Sequence, residues 1–446
     1  GVNVFGVLWA DGKTSHWNAV SLNGERAFAG QDPQTLEPFA ALSALYSAWK
    51  SPKNPDHPPL TGGLVGFMGW ESIRQLEKIS DAQRVDYDLP GQSFSFVADL
   101  IAVNHKNGTL QLIVNLLNDG QGSAEELWEE AQQRLERFEQ LLLEPYAPLL
   151  QRYNPNAETK TQTTVSKDEF LEKVATAKEY IRIGDAFQVV VSQRFEQELR
   201  ADALDVYRAL RALNPSPYMY VLNLLDKDGK PFQVVGSSPE ALIKIHDGQV
   251  ISHPIAGSRP RGVDQEQDEL LETELLADDK EKSEHLMLVD LARNDLLRVC
   301  EADSVKVLEF MKILRFSHVM HIGSTVVGTL RAGETPISAL MATFPAGTLS
   351  GAPKPRALEI ITELEPSTRG VYGGVVGYFS FSGDADLAIA IRTATLIDVI
   401  ATVQAGGGIV ADSNLEAEYQ ESVNKAAAPM RAVAIANSME SIQRKS

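Results

Sequence analysis

The sequence predicts an α+β fold: two lobes of antiparallel β-sheet with helices packed outside. Strand-like apolar runs separated by Gly, Pro and Asn turns recur along the chain. Two helices announce themselves by capping boxes, and no βαβ series of the nucleotide-binding kind is present.

In the first third, to residue 145, VGFM (65–68), FVADLIAV (96–103) and LQLIVNLL (110–117) read as strands. That lobe, residues 1–145, closes on a helix. Ser123 and Glu126 form a capping box, and Leu127, Ala131, Leu135, Phe138 and Leu142 follow at helical spacing. Residues 146–165 are rich in Pro, Asn and Thr, lack a period, and read as the linker between lobes. The region 166–440 opens on a second capping box, Ser166 with Glu169. Its helix places Phe170, Val174, Ala177 and Ile181 on one face and stops at Gly184. Strands return in FQVVVSQRF (187–195), YMYVLNLL (218–225) and FQVVGS (232–237), and residues 264–291 read as one long acidic helix. Near the end, VYGGVVGYFSF (371–381), LAIAIRTATLI (387–397) and ATVQAGGGIV (401–410) read as three adjacent antiparallel strands.

Length and charge bound the function. A chain of 446 residues buries a sizeable core, and 43% apolar with 23% charged residues is ordinary for a globular protein. Sixty acids against 41 bases give a formal charge of -19, which argues against nucleic-acid and anionic-membrane partners. The single cysteine, Cys300, excludes an internal disulfide and a thiolate metal cluster, and fits a reducing, cytoplasmic setting. No apolar run reaches the roughly 18 residues a spanning helix needs. The opening GVNVFGVLWADGK lacks a signal-peptide pattern and an initiator methionine, so the chain is expected to begin inside a longer protein.

Several segments carry chemistry-bearing residues. Glu418, Glu421 and Lys425 are spaced i, i+3, i+7 and share one helix face. The pattern suits a solvated face with an ion pair, or a Mg2+ site of hard oxygen ligands with a lysine beside it. Asp278, Glu281 and Glu284 recur every three residues, with His285 next to the last; HExxH spacing is absent, which disfavours a zinc hydrolase. Arg392 interrupts an apolar strand among Ala388, Ala390 and Ala394, where a guanidinium needs an anionic partner, either an internal acid or a substrate carboxylate. Gly406, Gly407 and Gly408 after a strand, and Thr348, Ser350 and Gly351 ahead of a helix that Pro353 would start, are turns that could also bind an anion. His321 sits in an apolar context where a satisfied core histidine is the commoner case. Together these residues imply an acidic, metal-assisted enzyme for a small carboxylated substrate.

In order along the chain, these motifs resemble the chorismate-binding enzyme family, and within it the large subunits of anthranilate synthases. The resemblance is carried by GDAFQVVVSQRF (184–195), NPSPYM (214–219), GSSPEALI (236–243), HPIAGSRPRG (253–262) and ELLADDKEKSEHLMLVDLARND (274–295). It continues in RFSHVMHIGSTVVG (315–328), FPAGTLSGAPKPRALEII (344–361), GDADLAIAIRT (383–393) and QAGGGIVADS (404–413), and more faintly in LTGGLVGFMGWESIRQLE (60–77). It implies a large two-lobed antiparallel β-sheet sandwich with helices outside and the site between sheets. The implied reaction converts chorismate and ammonia to anthranilate and pyruvate, with Mg2+ bound and a separate glutamine amidotransferase subunit delivering the ammonia.

The resemblance also assigns roles. Glu284 and Glu421 match the Mg2+ ligands, with Glu418 supporting them. Tyr372 and Arg392 match the grip on the enolpyruvyl carboxylate, helped by Gly406, Gly407, Gly408 and Lys425. Thr348 matches a contact to the ring carboxylate, and Glu281 and His321 match the acid and the base. Ala256 stands where aminodeoxychorismate synthases with a PIKG motif carry lysine, which favours direct amination. Pro215 and Met219 match half of a tryptophan feedback pocket. Leu297, Phe316 and the pair Trp70-Glu71 depart from the usual Gly, Tyr and Tyr-Asp. Two rivals share the motifs: a 2-amino-2-deoxyisochorismate synthase, which keeps the pyruvyl group, and a non-catalytic regulatory paralogue.

Overall fold

The computed structural model describes residues 3–21, 23–120, 122–145, 150–316 and 319–442. Residues 146–149 of the expected linker and 317–318 of the RFSHVMH segment lie outside the described residues.

Two antiparallel sheets carry the fold, as the α+β reading expects. The larger, of 12 strands, runs Ile255–Pro260, Val319–Thr329, Gln249–Ser252, Ala241–His246, Ala385–Ile389, Val375–Ser380, Gly63–Met68, Gln92–Asn104, Asn3–Asp11, Thr14–Ala19. Lys306–Arg315 and Thr109–Val114 pair onto it from the side. The smaller, of seven, runs Gly351–Ala352, Gln188–Glu198, Ile400–Ile409, Thr393–Ile397, Pro231–Ser238, Tyr218–Leu225, with Gln162–Thr163 on Gln188–Glu198. Gly63–Met68 pairs with Val375–Ser380, so the larger sheet runs across the expected linker and takes strands from both sides of it. Within the linker, Gln151–Arg152 pairs with Glu440–Ser441.

The described helices are α1 (Pro38–Ala48), α2 (Ala124–Leu143), α3 (Lys167–Arg182), α4 (Ala203–Leu213), α5 (Gln265–Ala277), α6 (Asp279–Leu297), α7 (Pro336–Thr343), α8 (Lys354–Leu364) and α9 (Leu415–Asn437). Both capping boxes form: Ser123 and Glu126 at α2, Ser166 and Glu169 at α3. The main core joins α1, α3, α7 and α8 to strands of both sheets; a second joins α4 and α9 to the smaller sheet. Where the sheets face each other, Phe67 and Phe232 meet edge to face at 6.1 Å.

Two local expectations fail, each for a physical reason. The acidic stretch 264–291 is not one helix. Asp278 leaves helical geometry (φ -72, ψ 109), and its carboxylate accepts from the N–H groups of Lys280 and Glu281, so it ends α5 and caps α6. LAIAIRTATLI is not one strand either. Its first half pairs in the larger sheet and its second in the smaller. The change of sheet passes through Arg392, which has φ +51.

Candidate active site

That change of sheet opens a cavity of about 320 Å³ between the two sheets, floored by α6 and α9. Residues more than 230 positions apart border it, among them Gln188, Glu240, Glu281, Glu284, His321, Thr348, Tyr372, Arg392, Glu418, Glu421 and Lys425.

Arg392 enters from the crossover. Among the described residues its guanidinium has no carboxylate within ion-pair distance, and burial lowers its pKa against the nearby Tyr372 and Glu421. The internal salt bridge that the sequence left open is not formed. Tyr372 is 8% exposed, and burial raises its hydroxyl pKa.

The acidic side is built by two helices. Glu281 and Glu284 project from α6, Glu418 and Glu421 from α9. Burial raises the pKa of Glu284, Glu281 and Glu418, and in each case the Glu421 charge adds to the rise. Glu281 lies 3.7 Å from Arg259, and Gln188 donates to Glu284 over 3.1 Å. Lys425 makes the ion pair that its spacing predicts, 2.6 Å from Glu421, and also donates to the Gly406 carbonyl at 2.9 Å. No group of three potential ligands is drawn together among the described residues. Magnesium ordinarily takes one or two carboxylates and completes its shell with substrate and water oxygens, so a pair from α6 and α9 is the donor set to expect. Mutually repelling, half-buried carboxylates fit a cation between them.

The three glycines divide their work. Gly406 and Gly408 border the cavity, whereas Gly407 does not. A Cβ on Gly407 would come within 2.8 Å of a Glu418 carboxylate oxygen, so that glycine gives α9 its clearance. Thr348 borders the cavity from a short turn. The helix behind it starts at Lys354 with Pro353 as its N-cap, and α8 itself does not border the cavity. His321 hydrogen-bonds through Nδ1 to the Gly257 carbonyl at 2.7 Å, which makes Nδ1 the protonated nitrogen and leaves the Nε2 lone pair free. Burial lowers its pKa, and Arg392 and Lys425 push the same way. Phe316 meets the ring edge-on at 5.7 Å. Leu297, the bulkiest departure, lies 43% exposed at the end of α6, away from the cavity.

Glu240 and Gln188 also border the cavity, and the sequence motifs assign them no role. Glu240 accepts from the Thr348 hydroxyl at 3.2 Å, and burial pushes its carboxyl up to about 8, with Lys425 opposing. An acid between Pro239 and the buried strand Ala241–His246 was the available signal. Gln188 is 3% exposed, and its amide oxygen has no hydrogen-bond partner among the described residues. Pro215 lies exposed before the Tyr218–Leu225 strand that holds Met219, and neither borders this cavity.

A family model described as chorismate binding enzyme matches residues 6–431. Anthranilate synthase component 1 of Arthrobacter globiformis is 48% identical over 443 residues, covering 97% of this chain and 83% of its own. The Mycolicibacterium smegmatis protein of the same name is 48% identical, with 91% and 78% covered. The crystal structure of anthranilate synthase component I from Streptococcus pneumoniae superposes with a TM-score of 0.80 at 36% identity, covering 96% and 90%. The chain belongs to the chorismate-binding enzyme family, within its anthranilate synthase component I branch.

Proposed function

We propose that this cavity converts chorismate and ammonia to anthranilate and pyruvate for tryptophan biosynthesis. It would act with Mg2+ bound, in the cytoplasm, with a separate glutamine amidotransferase subunit as ammonia source. The observation that carries the reading is the Arg392 guanidinium, without an ion-pair partner among the described residues, set across one cavity from the carboxylates of α6 and α9.

Chorismate is a dianion. Arg392 and the Tyr372 hydroxyl would take its enolpyruvyl carboxylate, with the Gly406 and Gly408 backbone and Lys425 close by; Thr348 would approach the ring carboxylate. Glu284 and Glu421 would hold Mg2+, with Glu418 alongside; when bound, the ion supplies positive charge at the ring carboxylate. The ammonia lone pair forms a bond to C2, the ring double bonds shift, and the C4–O bond breaks. The departing hydroxyl needs a proton from a carboxylic acid. The family resemblance gives that role to Glu281. Glu240, held near 8, keeps its proton at neutral pH and is a second donor of the required kind. His321 stays neutral, and its free Nε2 can remove the C2 proton. The C3–O bond then breaks, enolpyruvate leaves to become pyruvate, and the ring becomes aromatic.

The test is an incubation of the chain with chorismate, Mg2+ and ammonium, following anthranilate fluorescence and pyruvate together. Both products in equal amounts support the reading. Chorismate loss without pyruvate means the aminated intermediate is the product, and no turnover indicates a regulatory protein. Feedback through Pro215 and Met219 belongs to the same proposal; a rate unchanged by saturating tryptophan would reject it.

A further inference from the structure

The first third of the chain reaches the cavity through a buried guanidinium. Arg369 is 4% exposed and gives both halves of its fork to Glu365, at 2.7 and 2.8 Å. Its remaining donors bind the carbonyls of Leu349, next to Thr348, and of Val190, two residues past Gln188, at 2.8 and 2.9 Å. Its guanidinium carbon lies over two aromatic rings, 4.2 Å from the Trp70 centroid and 5.5 Å from that of Tyr372.

Trp70 and Glu71 clamp the same loop from outside. The Glu71 carboxylate accepts from the backbone N–H groups of Arg369 (2.8 Å) and Gly370 (3.0 Å), and the Trp70 backbone N–H donates to the Gly370 carbonyl at 2.8 Å. A Cβ on Gly373 would meet the Trp70 ring at 2.8 Å, so the indole is seated against the residue that follows Tyr372. The ring, the guanidinium and the carboxylate therefore fix segment 369–373 from three sides.

We propose that Trp70 and Glu71 are positioning residues for substrate: acting through Arg369, they hold the Tyr372 hydroxyl beside Arg392 for the enolpyruvyl carboxylate. Arginine suits this position because a planar, always-charged fork can lie against aromatic rings while donating at its edges. The compact ammonium of a lysine could not both stack and supply these four edge hydrogen bonds. The inference rests on the reading of Tyr372 and Arg392 as the carboxylate grip.

Steady-state kinetics on Trp70→Leu and Trp70→Phe, at saturating Mg2+ and ammonium, test it. Trp70→Leu should raise the chorismate KM by roughly tenfold, the scale of one lost cation–π contact. Its ammonium KM, its half-saturating Mg2+ and its kcat should stay close to wild type. Trp70→Phe, which keeps an aromatic face, should recover most of the loss. Glu71→Gln, which keeps the shape but not the charge, should shift the same KM and serves if the leucine variant does not fold. An unchanged chorismate KM in both Trp70→Leu and Glu71→Gln overturns the proposal, as does an equal fall in all parameters with a lowered melting temperature. A wild-type chain that makes no anthranilate would instead defeat the underlying function.

Discussion

Replacing Arg392 by methionine should make the protein more stable and nearly inactive at once. The guanidinium is desolvated, and no carboxylate pairs with it among the described residues, so the ligand-free protein carries the cost of a buried charge. Exchanging buried charges for apolar side chains of similar volume stabilises by about 1–4 kcal/mol in favourable cases. An unpaired charge belongs in the upper part of that range; the partial exposure of the cavity and the distant Glu421 draw it back to about 1–2 kcal/mol. Methionine inherits the same φ of +51, so backbone strain cancels from the comparison. Catalysis moves the other way. Truncating one partner of a buried, hydrogen-bonded charge pair costs about 2–5 kcal/mol, or roughly 30-fold to several thousand-fold in kcat/KM. Denaturant unfolding without substrate reads the first effect, and anthranilate fluorescence the second. A destabilised variant would show that Arg392 serves an internal ion pair, and a variant within a few-fold of wild-type kcat/KM would refute its role at the carboxylate.

The other predictions concern the acids and the base. Burial holds the Glu240 carboxyl near 8, so kcat, corrected for free ammonia, should fall as pH rises through about 8, and Glu240→Gln should lose both activity and that limb. Because this acid's folded pKa is raised, its contribution to stability relative to Glu240→Gln is full below the unfolded carboxyl range and is lost as pH approaches 8; melting curves across that window check the sign. Gly407→Ala places a Cβ against the Glu418 carboxylate and should weaken Mg2+ binding, measured by calorimetry, with little change in fold. Glu284→Ala and Glu421→Ala should each abolish turnover, and wild-type turnover in excess chelator would defeat the metal assignment. His321→Gln should still consume chorismate while releasing little pyruvate, which mass spectrometry of the ring product would show as an aminated, uncleaved intermediate.

What the sequence revealed and what it hid follow from the range of each signal. The capping boxes at Ser123 and Ser166 are local exchanges between residues three apart, and both helices form where they predict. The spacing of Glu418, Glu421 and Lys425 is equally local and places all three at the cavity. Arg392 was legible as an anomaly but not as a turn. Period-two alternation continues through LAIAIRTATLI, and only the pairing partners on either side reveal that the chain changes sheets. Asp278 reads as one of a helical trio, although the same carboxylate that suits a helix face also caps a new helix. Glu240 is silent in the sequence because its raised pKa comes from burial by segments distant along the chain; even the Thr348 hydroxyl that donates to it lies more than 100 residues away. The Trp70-Glu71 pair was visible only as a departure from a pattern; its contacts with Arg369 and Gly370 span about 300 positions.

Diffraction at the manganese absorption edge, from crystals of the His321→Gln variant soaked in Mn2+ and chorismate without ammonium, tests the central arrangement most directly. A single anomalous peak between Glu284 and Glu421, with a substrate carboxylate on Arg392, is the predicted result. A peak elsewhere, or a guanidinium turned away onto Glu421 with no ligand beside it, would contradict the account.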